Sequence, residues 1–129
     1  MKTYWDSSAL VESVFEPSLQ GRLHRERGVT RAHALAETFA ALTGNPQNRV
    51  DADVALGLLE QLADSLDFVD LTAAEMLAAL KSARKLGVRG GRVHDLFHAV
   101  AAKKCGAKKI VTLDKNDFTG LTEIALEII

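Results

Sequence analysis

The stretch VTLDKNDF, residues 111–118, sets Asp114 and Asp117 three apart, directly behind a short apolar run. Three more acids stand in unusual company. Asp6 follows KTYW, Glu37 interrupts the nearly uncharged AHALAETFAAL, and Asp95 opens VHDLFHAVAA just after the glycine-rich GVRGGR. Taken singly, each has an ordinary explanation: a carboxylate favoured by a helix N-terminus, a solvent-facing glutamate, a turn former beside Asn116. Taken together they have a different consequence. Clustered carboxylates repel one another, and their pKa values rise unless a cation neutralises them. An oxygen-only set suits Mg²⁺ or Mn²⁺ better than Zn²⁺. A pair of such ions clamps the attacking and leaving oxygens of an in-line displacement at phosphorus and activates water. Two-metal phosphodiester hydrolysis of that kind needs no serine, cysteine or histidine nucleophile.

For this chemistry the acids must be brought to one place. KTYW reads as a first strand, and SSALVESVFE as a helix capped by Ser7 or Ser8 and ended by Pro17. SLQGRLHRER predicts a second helix, GVT a minimal strand, and AHALAETFAALTG a helix closing on Gly44. Asp51 can cap a helix through about Leu66, and DFVDL is a brief strand. Thr72 and Glu75 form a capping-box pattern that predicts one helix running to Gly87. GVRGGR reads as a loop, VHDLFHAVAAKKC as a helix stopped by Gly106, KKIVTL as a strand, and EIALEII as a last strand. Strands alternating with helices predict a three-layer α/β/α domain over residues 1–129, with a central, mostly parallel sheet of four to five strands. Ligands of such sheets sit beyond the carboxyl ends of the strands. Asp6 and Asp114 both follow predicted strands, so both fall at that edge.

Composition narrows the setting. The 129 residues carry a net charge of −1, which gives no global pull toward nucleic acid or an anionic membrane. Local patches must do that work. KSARKLGVRGGR holds Lys81, Arg84, Lys85, Arg89 and Arg92 with no acid among them and leads into Asp95. Arg22, Arg25, Arg27 and Arg31 form a second basic group. Arg89 and Arg92, in the glycine-containing loop, are the better candidates for binding phosphate. Aromatic residues make up only 5% of the chain, so base stacking is expected to contribute little. The one cysteine, Cys105, rules out an internal disulfide and a cysteine-based zinc cluster, and it is expected to pack rather than react. That chemistry, an N-terminus without a signal-peptide core and the lack of any run long enough to span a membrane point to a cytoplasmic protein.

The chain resembles a PIN-domain ribonuclease, and in particular the VapC toxins of toxin–antitoxin pairs. The resemblance spans nearly the whole sequence. It rests on YWDSSALVE, on the lone Glu37 in its helix, on HDLFHAVAAKKCGAKKIVTLDKNDF, and on the order Asp, Glu, Asp, Asp. It implies a Mg²⁺- or Mn²⁺-dependent endoribonuclease with Asp6, Glu37, Asp95 and Asp114 as catalytic, metal-binding acids and Asp117 assisting. Ser8 and Thr112 match the small polar residues that support such sites. It also implies an RNA substrate, a cognate antitoxin and a homodimer, whose contact the apolar faces of LVESVF and ALGLLEQLADSL are expected to supply. His98 departs from the pattern, which often has a small apolar residue there, and the first strand is less aliphatic than usual.

Two other readings stand beside this one. HDLFH imitates the zincin spacing, so His94 and His98 are candidate ligands of a zinc hydrolase, although aspartate replaces the usual glutamate and no third ligand is evident. Alternatively, a PIN-like domain of low activity would serve mainly to hold a partner protein, its acids receiving that partner's arginine.

Overall fold

Three consecutive buried residues, Thr3, Tyr4 and Trp5, form the first strand, β1. Successive side chains of a strand point to opposite faces, so Tyr4 joins one apolar cluster and Trp5 the other. A strand apolar on both sides must lie inside a sheet covered twice. The computed structural model, which describes residues 1–129, has that arrangement. After β1 (Thr3–Trp5) come α1 (Ser7–Phe15), α2 (Pro17–Glu26), β2 (Gly28–Arg31), α3 (Ala34–Gly44), α4 (Ala52–Asp64) and β3 (Leu66–Val69). α5 (Ala73–Leu80), α6 (Ala83–Leu86), α7 (Val93–Lys104), β4 (Lys109–Thr112) and β5 (Ala125–Ile128) complete the chain. The five strands are all parallel, in the order β3-β2-β1-β4-β5.

One face of the sheet is closed by α1 to α4, with Leu10, Leu23, Ala34, Leu59 and Leu62 packing on Trp5 and Val111. The other is closed chiefly by α5 and α7, where Ala99, Ala101 and Ala102 pack on Tyr4 and Ile110. Each large side chain so buried contributes roughly 1.5–3 kcal/mol. Trp5 lies so close to β2 that a Cβ on Gly28 would stand 2.8 Å from the indole and 2.6 Å from Leu23. Only hydrogen fits there. Cys105 is half-buried against the α7 side of the core, as a packing residue should be.

The order of elements follows the sequence reading, with two corrections. The segment from Thr72 to Gly87 is two helices rather than one. Thr72 and Glu75 do form a reciprocal capping box at its start. After Leu80, however, the Lys81 and Ser82 amides turn back to Ala78 O and Ala79 O, tightening the last turn and ending α5. Ser82 is a weak helix former, and Leu77 and Leu80 are exposed, so little packing holds the helix straight through this point. The second correction concerns GVRGGR, whose last three residues, Gly90–Arg92, are a 3₁₀ turn leading directly into α7. Pro17 also does more than end α1. It occupies the first turn of α2, where its missing N–H costs nothing.

Candidate functional site

Reading outward from β1, the sheet order runs to β2 and β3 on one side and to β4 and β5 on the other. β1 and β4 therefore flank the point where the winding reverses, and the crevice beyond their carboxyl ends is where such sheets receive ligands. The register pairs Trp5 with Val111, and Asp6 N donates to Val111 O at 3.2 Å. Asp6 thus emerges from β1 opposite Thr112 at the end of β4.

Asp6 is 3% exposed and, in place of the expected Ser7 or Ser8, caps α1. Its Oδ1 accepts from Ala9 N at 2.9 Å and Ser8 Oγ at 2.7 Å, and its Oδ2 from Thr112 Oγ1 at 2.6 Å. Three of about four acceptor positions are then used, which fixes the carboxylate and leaves one free. Thr112 Oγ1 also accepts from Asp114 N at 3.4 Å, and Ser8 Oγ from Leu113 N at 3.1 Å. The two expected supporting hydroxyls tie the β1 and β4 loops together. Asp114 caps the 3₁₀ turn Lys115–Phe118 by accepting from Asn116 N at 2.8 Å, and that turn carries Asp117.

The remaining aspartates register their neighbours electrostatically. Burial, then the charges of Asp117 and Asp6, push Asp95 up from 3.8 to about 6, against the opposing pull of His98 and Arg92. Burial, Asp114 and Asp6 likewise raise Asp117, against Arg92. Asp6, Asp95, Asp114 and Asp117 therefore share one region and repel within it.

Glu37 stands differently. Its Oε1 lies 3.0 Å from His98 Nε2 and 3.6 Å from Arg31 Nη2, and its Oε2 is 3.4 Å from Ser7 Oγ. Burial would raise its pKa, but the hydrogen bond from His98 and the charge of Arg31 hold it below the ordinary carboxylate range. The partner is no passing contact: His98 is 1% exposed, and its Nδ1 meets the Tyr4 hydroxyl at 2.6 Å. Sequence reasoning missed this Tyr4–His98–Glu37 chain. The spacing HDLFH did mark His98, but for zinc. That reading is set aside, because both ring nitrogens of His98 are used inside the protein and His94 stacks on His33 at 5.6 Å.

No three His, Cys, Asp or Glu side chains, as placed, enclose a point that could hold a metal ion. The donor set nevertheless fits a hard divalent cation in type and charge. It is all oxygen, and the burial and aspartate–aspartate repulsion that raise Asp95 and Asp117 are what a cation would offset.

Of the basic residues, Lys81, Arg84, Lys85 and Arg89 are exposed. Arg92 is half-buried, and its Nη2 donates to Thr119 O at 2.7 Å, so part of its role is to hold the turn bearing Asp117. The second basic group is largely committed elsewhere. Arg22 forms a two-point ion pair with Glu127, Arg27 pairs with Asp67 at 2.9 Å, and Arg31 is buried beside Glu37. Only Arg25 of those four lacks an acidic partner. A groove of about 840 Å³ lies between α7 and the segment before β5, with Leu96, Val100, Leu121 and Ile124 among its walls; none of the five acids lines it.

The sequence pattern of the PIN domain family matches residues 3–123, and the chain belongs to that family. A crystal structure of PAE2754 from Pyrobaculum aerophilum has the same fold. It aligns with a TM-score of 0.68 at 21% identity, covering 97% of this chain and 87% of that one. No curated protein matches. PIN domains are generally metal-dependent nucleases, which is the class of chemistry the carboxylate-rich crevice suits. No helix is long and apolar enough to cross a membrane.

Proposed function

We propose that this chain is a single nuclease unit that cleaves RNA internally, with Asp6, Glu37, Asp95 and Asp114 holding Mg²⁺ or Mn²⁺ and Asp117 assisting. The observation that carries the proposal is the repulsion that Asp95 and Asp117 feel from Asp6 and Asp114 beside the sheet's switch point; the resemblance of Asp6, Glu37, Asp95 and Asp114 to the order Asp, Glu, Asp, Asp supports it. A divalent cation bound there would neutralise charge on the phosphate and lower the pKa of a water, so that it attacks phosphorus in line. The chain's own residues do the rest. Ser8, Thr112 and the Ala9 amide hold Asp6 in one orientation, and the turn carrying Asp114 and Asp117 is fixed by Asn116 N and by Arg92. Arg89, exposed and unpaired in its loop, is placed to meet backbone phosphate, with Arg92 as a second contact. The products expected are a 5′-phosphate and a 3′-hydroxyl. Cleavage of end-labelled RNA with analysis of both new ends tests this; a 2′,3′-cyclic phosphate would overturn it.

The similarity of YWDSSALVE and HDLFHAVAAKKCGAKKIVTLDKNDF to VapC toxins supports a finer reading: a cytoplasmic toxin restrained by a cognate antitoxin. A small protein encoded beside this chain that binds it and suppresses cleavage would establish that pairing. A two-fold homodimer belongs to the same proposal. Its contact must be smaller than the sequence suggests, because Leu10, Ala55, Leu59, Leu62 and Leu66 are consumed by the core. Phe15, Val54 and Leu56 remain more than half exposed on α1 and α4 and are the residues available for it.

A further inference from the structure

The hydrogen bonds behind Glu37 have a direction. Tyr4 Oη accepts from Arg31 N at 3.3 Å, so its own hydrogen is free to go to His98 Nδ1, 2.6 Å away. With Nδ1 accepting, a neutral imidazole must carry its proton on Nε2, and Nε2–H then donates to Glu37 Oε1 at 3.0 Å. Tyr4 and His98 are both almost fully buried, so water does not compete for these positions. Arg31, itself 4% exposed and lying over Phe97, has no hydrogen-bond acceptor for Nε or Nη2, yet Nη2 stands 3.6 Å from the same Oε1. Two donors thus converge on one carboxylate oxygen. The other, Oε2, has only Ser7 Oγ at 3.4 Å.

We infer that Tyr4, His98 and Arg31 are positioning residues that lock Glu37 by Oε1 and present Oε2 alone to the cation. The inference rests on the proposal that these acids bind a divalent ion. It goes further in assigning His98 a role that zinc ligation and simple packing both omit: it sets which oxygen of Glu37 is available and fixes its direction. Hydrogen-bond partners behind a metal ligand act by orienting it, and their loss weakens metal affinity about 10- to 100-fold.

Two measurements test it. Long-range ¹⁵N NMR of the histidine rings in the metal-free protein should show His98 protonated on Nε2, and Tyr4→Phe should broaden or shift that signal. Calorimetric titration with Mn²⁺ should show His98→Ala binding about 10- to 100-fold more weakly than the parent. His98→Gln, whose amide can donate from the Nε2 position, should recover much of that loss, and Tyr4→Phe should fall between the parent and His98→Ala. Should His98→Ala fail to fold, the comparison of Tyr4→Phe and His98→Gln with the parent decides. A proton on Nδ1, a folded His98→Ala with the parent's Mn²⁺ affinity, or, where His98→Ala does not fold, a Tyr4→Phe with the parent's affinity, would overturn the inference while leaving the nuclease proposal standing. A parent chain that binds no Mn²⁺ would overturn both.

Discussion

Thr112 Oγ1 donates to Asp6 Oδ2 at 2.6 Å across 106 residues of sequence. The same oxygen receives Asp114 N, so one hydroxyl sets the spacing of two acids that no local segment could bring together. Thr112→Val keeps the β-branched shape and deletes that bridge. Asp6 Oδ2 would be left buried without a donor, a change that costs about 1–3 kcal/mol. Urea unfolding should show this loss, and cleavage by the folded variant should drop by about tenfold or more. A variant as stable and active as the parent would mean that the bridge is incidental.

Asp95 makes a prediction with a definite sign. Its pKa in the folded chain is raised from 3.8 to about 6, so in that window the folded state holds a proton that the unfolded state has released. Stability of the metal-free protein must therefore fall as pH rises through the window, and the penalty is complete above about 6. Asp95→Asn removes it. Because the carboxylate is half-exposed and screened, the gain at pH 7 is on the order of 1 kcal/mol, or a rise of about 3 °C in Tm. The advantage should vanish below about pH 4. The same substitution should weaken Mn²⁺ binding and cleavage, which separates a functional acid from a merely awkward one. A melting profile of Asp95→Asn that parallels the parent across pH 4–7 would contradict this.

Arg89 and Arg92 should behave unlike each other. Arg89 is exposed with no partner, so Arg89→Ala should leave Tm unchanged, weaken RNA binding and reduce the slope of log affinity against log salt by roughly one. Arg92→Ala also removes the bond to Thr119 O and the charge that holds down Asp95 and Asp117. It should destabilise the chain as well, by about 1 kcal/mol. Filter binding across a salt series, with melting curves for both variants, tells the two apart.

Much of this architecture could be read in advance because it is written locally. Alternating strands and helices specify a parallel sheet, the Thr72–Glu75 box marks its helix, and residues directly after strands must lie at one sheet edge. Asp6 and Asp114 were placed in this way. What escaped the sequence depends on partners far along the chain. Arg22 looks like a free cation until β5 brings Glu127 to it and holds that acid down to about 2. Arg31 looks like another until β2 delivers it, buried, to Glu37. His98 carried a visible spacing signal, but its meaning came from Tyr4, 94 residues earlier. The break at Lys81 and Ser82 combines a weak helix former, Ser82, with the exposure of Leu77 and Leu80, and only the first of these is visible in the sequence.

The proposed function requires that the acids at the β1–β4 switch point cleave RNA with the help of a divalent cation. The most direct test is RNA cleavage by the purified parent and by an Asp6→Asn/Asp114→Asn variant, each with Mn²⁺ and with excess EDTA, after circular dichroism has shown both to be folded. Internal cleavage is expected from the parent with Mn²⁺ alone, and none from the parent in EDTA or from the variant in either condition. Cleavage that survives EDTA, or a folded double variant as active as the parent, would contradict it.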